Sequence, residues 1–165
     1  MCIRDWLQSR DVWFERFLHC PAPTASRMAS SVHVSGRRVA KGVLVRHELG
    51  YALAVLPATA RVDLDRLGVI LGNGPVRLAT EAEVARVFVD CELGALPPFG
   101  RLYGLTTIVD EGLGRSGEVI ICVGNYRHEG FQLRFADYEA IEAPIRGAFA
   151  TAMTSAAASD RRRAG

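Results

Sequence analysis

The residue with the clearest chemical potential is Lys41, which lies in the apolar run of residues 39–46. It is the only lysine in the chain, so the other 19 of the 20 Lys and Arg residues are arginines. Placing an ammonium group inside an apolar strand costs free energy unless an anionic or polar group meets it. A strand lysine more often carries its charge out to solvent along its flexible stem, and taken alone the run slightly favours that simpler interpretation.

A second candidate is the loop of residues 94–100, in which Gly94 and Gly100 flank Pro97, Pro98 and Phe99. Glycines let a ligand approach the backbone closely, and prolines hold a loop stiff. The apolar character of the loop favours a buried or pocket-lining position over a solvated one. Structural punctuation between two elements is the plainer alternative.

Two further groups could titrate or react. His128 lies in the polar turn of residues 124–130 and is the best placed of the histidines for acid–base chemistry, although it could equally be an ordinary hairpin-tip residue. Cys20, beside His19, is a possible nucleophile. No neighbour that would activate a thiol is evident, so a small loop residue is the favoured interpretation of Cys20.

Other chemistry is not supported by the sequence. It contains no phosphate-binding loop, no nucleophile elbow around a serine and no histidines paired at ligand spacing, so we expect neither a metal nor a cofactor. The four cysteines lie far apart without a CxxC motif, which predicts free thiols in a reduced, cytoplasmic protein. The charged N-terminus does not fit a signal peptide, and no window is long and apolar enough to span a membrane.

The elements that must position these residues alternate irregularly along the chain. Runs of β-branched and apolar residues predict strands at 12–18, 39–46, 51–56, 76–79, 106–110, 118–123 and 131–134. Helices are predicted at 3–9, from an N-cap at Thr24 to Val32, from residue 62 until residues 72–75 stop it, after a capping box at Thr80 and Glu83, and at 135–141.

This alternation predicts an α+β domain built on a mixed, mostly antiparallel, barrel-like sheet surrounded by short helices. The domain is expected to occupy residues 1–146. Residues 147–165 are rich in alanine and serine and contain Arg161, Arg162 and Arg163, which predicts a flexible tail. The net charge of +2 is smaller than the charge of these three arginines, so the body is nearly neutral and offers no large nucleic-acid surface.

Five motifs occur in an order that resembles a known family. They are residues 19–25 (HCPAPTA), 39–41 (VAK), 54–58 (AVLPA), 94–100 (GALPPFG) and 109–110 (VD). The succession is similar to the YbaK-type family, the stand-alone relatives of the bacterial prolyl-tRNA synthetase editing domain. The resemblance extends over residues 3–142, nearly the whole expected domain.

The resemblance implies an aminoacyl-tRNA deacylase that hydrolyses the ester of a tRNA mischarged with a small amino acid of the Ala, Cys or Ser class. Such editing is needed because an apolar pocket discriminates poorly between small side chains. By resemblance, Lys41, Gly94 and Pro98 match functional positions, and His128 lies where the synthetase domain carries a histidine. The implied substrate-binding positions are His19, Cys20, Thr24, Pro97, Phe99 and Gly100.

The implied partners are the acceptor end of an aminoacyl-tRNA, with tRNA-Pro the first candidate, and a prolyl-tRNA synthetase. The chain departs from the family where Lys41 is followed by Gly42 and Val43, which predicts more space beside the ammonium. Cys20 lies in the loop that lines the family pocket and is expected to tune which side chain fits. Two alternatives stay open: a non-catalytic module that binds a nucleotide, a tRNA end or a synthetase, and, at lower weight, an interaction protein that uses its arginine tail.

Overall fold

The computed structural model describes residues 2–21, 24–31, 33–115 and 118–153. The helices are α1 (Ile3–Ser9), α2 (Ala25–Ser31), α3 (Leu64–Ile70), α4 (Glu81–Val87), α5 (Glu111–Gly114) and α6 (Phe135–Glu142), with a 3-10 turn at Gly100–Tyr103. The strands are β1 (Phe14–Leu18), β2 (Val39–His47), β3 (Gly50–Pro57), β4 (Ala60–Val62), β5 (Arg77–Leu78), β6 (Thr106–Asp110), β7 (Val119–Val123), β8 (Glu129–Arg134), β9 (Ile145–Gly147) and β10 (Ala150–Ala152).

The main sheet has the strand order β1-β8-β7-β2-β3-β6-β9, and β5 adds to β2 as an eighth strand. Most neighbours are antiparallel, whereas β2 with β7, β3 with β6 and β6 with β9 are parallel. The predicted α+β class and mixed sheet are confirmed. The described sheet is open, with β1 and β9 at its two ends, so its curvature does not close it into a barrel.

Strand β2 divides the core between its two faces. Ala40 and Leu44 belong to a large cluster with α1, α6 and the 3-10 turn, whereas Val45 joins a second cluster with α3 and β10. Val39 packs with α2 in a third cluster on the same side as Val45. Because successive side chains of a strand alternate between faces, Lys41 shares the second face and Gly42 the first.

The sheet contains a gap beside Lys41. Strands β2 and β7 pair only at Val39 with Ile121 and at Ala40 with Cys122, and then diverge. On that side, β2 regains a strand partner only at Val45, which pairs with Leu78 of β5. The middle of β2, next to Lys41, therefore has no neighbouring strand on this side of the sheet.

Local signals in the sequence account well for the helices. The predicted capping box forms, because Thr80 Oγ1 accepts from Glu83 N while the Glu83 carboxylate accepts from Thr80 N. Thr24 caps α2, where its hydroxyl accepts from Arg27 N at 3.2 Å. Val32, predicted to continue α2, lies outside the described residues. None of the helices in the described ranges is long and apolar enough to cross a bilayer.

The first residues of the predicted flexible tail, 147–165, are folded in the structure. Ile145–Gly147 pairs with β6, and Ala150–Ala152 pairs with β4 in a separate two-stranded sheet. Phe149 is fully buried, because its ring fills the cluster that also contains Leu67 and Ile108. Residues 147–152 therefore belong to the folded unit. Residues 154–165, including the three arginines, lie outside the described residues.

Candidate functional site

Lys41 is half-buried, and its ammonium is held by one main-chain group. Lys41 Nζ donates to the carbonyl oxygen of Ala60 at 2.6 Å. Ala60 begins β4, which the short turn after β3 brings back across the second face of the sheet. The side chain therefore extends from β2 along the sheet surface instead of reaching directly out to solvent.

The surroundings of Lys41 disfavour its charge. Burial lowers the pKa of the Lys41 ammonium below its ordinary value, and the nearby guanidinium of Arg61 lowers it further. An ammonium with a lowered pKa gives up its proton more readily than a solvated one. It also provides a compact cation with donors left over after the bond to Ala60.

The candidate loop packs against Gly42, on the face of the sheet opposite the Lys41 side chain. A Cβ atom at Gly42 would lie 3.0 Å from the carbonyl oxygen of Leu96 and 3.4 Å from that of Pro97. The loop therefore packs directly on the strand beside Lys41. The space predicted from the absence of a side chain at Gly42 is filled by these carbonyls, and it lies on the face away from the ammonium.

The loop also reaches the far side of the gap. Glu92 N donates to the carbonyl oxygen of Asn125 at 2.8 Å, just beyond the end of β7. Arg127 donates to the Glu92 carboxylate through its main-chain N–H at 2.8 Å and through Nε at 3.0 Å, which lowers the pKa of Glu92. The loop thus spans the gap from β7 to β2 on the first face of the sheet. The Lys41 side chain lies on the second face.

Within the loop, the structure separates exposed from buried positions. Gly94 is exposed and has φ +88°, a left-handed conformation that favours glycine. Pro97 and Pro98 are buried, and the Pro98 carbonyl accepts from the Tyr138 hydroxyl at 2.8 Å. The loop therefore begins with an accessible glycine and ends in a stiff, buried segment that holds it in place.

Two of the predicted substrate-binding residues are packed in the core. Phe99 is fully buried and packs edge-on against Trp6, with its centroid 5.7 Å from that of Tyr138. A Cβ atom at Gly100 would overlap Thr107 Oγ1, so glycine is needed there for close packing. Both residues hold the loop in place, and their contact with a substrate stays a prediction.

The remaining predicted residues lie at the ends of β1 and β8. His19 N donates to the His128 carbonyl oxygen at 2.9 Å, and His19 Nδ1 is bonded to the Cys20 carbonyl oxygen. The His128 ring is exposed and stacks on Tyr126, and Cys20 is also exposed. Pro23, part of the first motif, lies outside the described residues. No contact joins the His128 ring to Lys41 in the described residues.

Sequence reasoning missed the residues that assemble the site. Ala60, Arg61, Glu92 and Asn125 carry no motif of their own. Ala60 and Asn125 act through their main-chain carbonyls, Arg61 through its charge, and Glu92 through its main-chain N–H and its carboxylate. Only the polar character of residues 124–130 signalled that this turn meets another element. In the part of the chain that the structure describes, no three His, Cys, Asp or Glu side chains cluster as metal ligands would.

Two solved structures share this fold. The hypothetical protein APE2540 superposes with a TM-score of 0.80 at 19% identity, covering 90% of this chain and 99% of that one. A protein described as a proposed trans-editing enzyme for prolyl tRNA synthetase superposes with a TM-score of 0.78 at 22% identity, covering 90% and 94%. At these identities the likeness shows the fold alone. A search of curated proteins gives no match.

The family comparison goes further than the structures do. A model of the aminoacyl-tRNA editing domain matches residues 19–141, which include Lys41, the spanning loop and the His19–His128 contact. The YbaK-type resemblance is thereby confirmed, and the chain belongs to the aminoacyl-tRNA editing domain family.

Proposed function

We propose that the chain is a trans-editing aminoacyl-tRNA deacylase for a small amino acid of the Ala, Cys or Ser class, with tRNA-Pro as its first candidate tRNA. The observation that carries this proposal is the half-buried Lys41 ammonium at a gap that the loop of residues 94–98 spans. Family membership and the fold shared with the trans-editing protein support it. A prolyl-tRNA synthetase that leaves such errors uncorrected is the partner we infer.

The reaction is hydrolysis of an ester. A nucleophile attacks the carbonyl carbon, the carbon–oxygen bond to the ribose breaks, and the ribose oxygen takes up the proton that the nucleophile loses. The described site offers no obvious protein nucleophile, so we assign the attack to a water, which gives the free amino acid directly, or to a hydroxyl or thiol of the substrate, which gives a cyclic ester or thioester that a water then opens. Lys41 would hold the ester region or an adjacent phosphate as a compact cation.

The loop can supply donors to the carbonyl oxygen as it gains negative charge. Within the described part of the chain, the main-chain N–H groups of Gly94 and Leu96 have no hydrogen-bond acceptor. Such preorganised donors stabilise a developing oxyanion, each contributing about 100-fold or more in rate in well-studied enzymes. Gly94 thus becomes the loop residue of most interest, with Pro98 fixing the loop behind it.

A deacylation panel tests the proposal. tRNA-Pro charged with alanine, cysteine, serine or proline is incubated with the wild type, and release of the free amino acid is measured. We expect hydrolysis of at least one small mischarged amino acid and loss of about 100-fold in rate for Lys41→Ala. Arg86→Ala, which removes an exposed cation on α4, is the matched control.

Two outcomes would overturn the proposal in different ways. If the wild type hydrolyses no substrate in a panel extended to other tRNAs, the binding module becomes the better description. If Lys41→Ala hydrolyses at the wild-type rate, Lys41 has no catalytic role. A His128→Ala variant in the same panel tests the exposed histidine, which the resemblance assigned to catalysis.

A further inference from the structure

Glu142, the last residue of α6, is a buried acid that has no part in the chemistry described so far. Only 2% of its surface is exposed. One carboxylate oxygen, Oε2, accepts hydrogen bonds, whereas Oε1 is buried without a partner among the described residues. Burying a carboxyl group in this state costs free energy of folding, so its place in the structure calls for an explanation other than stability.

The carboxylate of Glu142 lies at the start of the 3-10 turn Gly100–Tyr103. Arg101 N donates to Glu142 Oε2 at 3.2 Å, and the main-chain N–H of Gly100 is directed toward the same carboxylate. The first N–H groups of a helical turn lack an acceptor within the turn, and a side chain at the N-cap position commonly supplies one. Phe99 occupies that position here and supplies none. Glu142 therefore caps the turn from 41 positions away in the chain.

A second residue of α6 holds the same stretch of main chain. The Tyr138 hydroxyl donates to the carbonyl oxygen of Pro98 at 2.8 Å, just before the buried Phe99. Because Tyr138 and Glu142 are four positions apart in a helix, their side chains lie on one face of it. That face thus bonds the main chain on both sides of Phe99. The loop that spans the gap consequently ends in a segment that α6 fixes at two points.

Of these two contacts, only the one through Glu142 changes with pH. The titratable groups that face Glu142 are the guanidinium of Arg101, the Cys122 thiol of β7 and the Tyr138 hydroxyl. Burial raises the pKa values of Cys122 and Tyr138 well above their ordinary values, so both groups stay uncharged. Burial also raises the pKa of Glu142. Because an ionised acceptor makes stronger hydrogen bonds than a neutral one, the turn is held more firmly when Glu142 is ionised.

We propose that Glu142 is a positioning residue for deacylation, because its carboxylate fixes the start of the 3-10 turn and thereby the loop of residues 94–98. This inference rests on the proposed function, since it concerns the loop to which that function assigns the carbonyl oxygen of the ester. Glu142 is buried behind the loop and touches no substrate. Its effect on the reaction passes through the main chain between Gly94 and Arg101.

The proposal predicts opposite pH trends for activity and stability. Ionising a carboxyl whose pKa is raised by folding lowers the free energy of unfolding as pH rises through the folded pKa. The same ionisation strengthens the hold on the loop, so its contribution to deacylation should grow over that pH range. A residue that served folding alone would move activity and stability in the same direction.

The first test compares wild type with Glu142→Gln, whose side chain is uncharged at every pH. The substrate is the mischarged tRNA that the wild type hydrolyses best, and kcat and KM are measured at a series of pH values. The ratio of wild-type to variant kcat should rise with pH from about 1 to about 5, through a midpoint above 4.5. KM should agree within about two-fold, because Glu142 does not contact the substrate.

Two further variants make this test specific. Glu15→Gln applies the same chemical change at an exposed position of β1, and its kcat ratio should stay near 1 at every pH. Tyr138→Phe removes the other contact of α6 without changing a charge. It should lower kcat about 3- to 10-fold by a factor that does not vary with pH.

The ratios separate the possible failures. A ratio near 1 for Glu142→Gln at every pH shows that Glu142 does not position the loop. A ratio above 1 that does not change with pH shows a structural role without the carboxylate charge, and it also overturns the proposal. In both cases an active wild type leaves the proposed function standing.

The second test does not depend on activity. The amide proton shifts of Arg101 and Gly94 are followed by NMR as pH is varied. Both should titrate with one midpoint above 4.5, and both should lose that transition in Glu142→Gln but keep it in Glu15→Gln. If only Arg101 responds, the effect stops at the turn and the proposal is overturned. If both respond in a protein that hydrolyses no ester, the proposed function fails, whereas the coupling of Glu142 to the loop remains.

Discussion

Asp110 fixes Phe149: one carboxylate oxygen accepts the main-chain N–H of Phe149 at 2.8 Å, across 39 residues of chain. The same oxygen accepts from Ala150 N at 2.7 Å, and the other accepts from Gly112 N at 2.8 Å. Ala150 begins β10, and β10 pairs with the strand that carries Ala60. The carboxylate of Asp110 thus anchors the short sheet on which the Lys41 ammonium rests.

The first prediction concerns that anchor. Asp110→Ala leaves buried main-chain N–H groups without their acceptor, so we expect the free energy of unfolding to fall by about 3 kcal/mol. Urea unfolding measures the change. Glu111→Ala is the matched control, because it removes an exposed carboxylate paired with Arg115 and should cost about 0.5 kcal/mol or less. Equal losses in the two variants would contradict the anchoring role.

The second prediction separates stability from function at Lys41. Because its surroundings depress the pKa of the ammonium, the folded state bears a cost for this charge at neutral pH. Lys41→Met removes that cost together with the bond to Ala60, which is worth about 1 kcal/mol. At pH 7 we expect the free energy of unfolding of the variant to lie within about 1 kcal/mol of the wild-type value. Its deacylation activity should nevertheless be lost.

The pH dependence of the wild type has a definite sign. For a base whose pKa is lower in the folded state, the unfolded chain binds more protons, so stability rises as pH increases through the folded pKa toward 10.5. The wild type should therefore gain stability relative to Lys41→Met as pH rises from 7. A loss of more than about 2 kcal/mol in Lys41→Met at pH 7 would instead make the ammonium a structural requirement.

The third prediction tests whether the loop packs on β2 at Gly42. Gly42→Ala places a methyl group 3.0 Å from the Leu96 carbonyl oxygen, a contact that a small loop shift relieves. Gly42→Val is larger and should displace the loop, with a loss of about 1–3 kcal/mol in unfolding free energy. Deacylation should fall in the order wild type, Gly42→Ala, Gly42→Val. A fully active and stable Gly42→Val would show that the loop is not seated there.

The fourth prediction concerns a buried acid behind the loop. Glu142 accepts from Thr107 Oγ1 at 2.6 Å and from Arg101 N at 3.2 Å, and its other oxygen has no partner among the described residues. Burial raises the pKa of this carboxyl, so its proton is bound more tightly in the folded state. The associated stability is present below the unfolded value and is lost as pH rises through the folded pKa.

Glu142→Gln cannot ionise and should therefore be more stable than the wild type at pH 8, on the order of 1 kcal/mol. The difference should disappear at pH 3, well below the ordinary pKa of 4.5, where the wild-type carboxyl is protonated in both states. Urea unfolding at the two pH values measures this change. Glu15→Gln, at an exposed position on β1, should show no such pattern, and a similar pH response in both variants would refute the interpretation.

Strong local signals made much of the fold predictable. The capping box at Thr80, the β-branched run of β2 and the proline-rich loop each follow from neighbouring residues. The site was harder, because Lys41 rests on a sheet whose two strands have three residues each and lie about 90 positions apart. Periodicity needs longer runs than that. For the same reason, residues 147–152 were predicted to be a tail.

How much of the candidate site follows from the sequence depends on how local the determinants of each position are. Lys41 stands out in the sequence as the one lysine, whereas the left-handed backbone of Gly94 is seen only in the structure. Phe99 and Gly100 belong to the same motif, yet their packing against Trp6 and Thr107 depends on distant elements. A motif shows that a set of residues acts together without showing which of them meet a ligand and which support the others.

The gap between β2 and β7 has a consequence for solubility. Between Ala40 and Leu44, whose carbonyl oxygen accepts from Ala79 N, one side of β2 is an edge in the middle of a sheet, with main-chain groups able to accept a foreign strand. Native proteins protect such edges, and here the loop of residues 92–98 covers one face of it. We expect variants that loosen the loop to aggregate on heating before they unfold completely, because the edge they expose pairs between molecules.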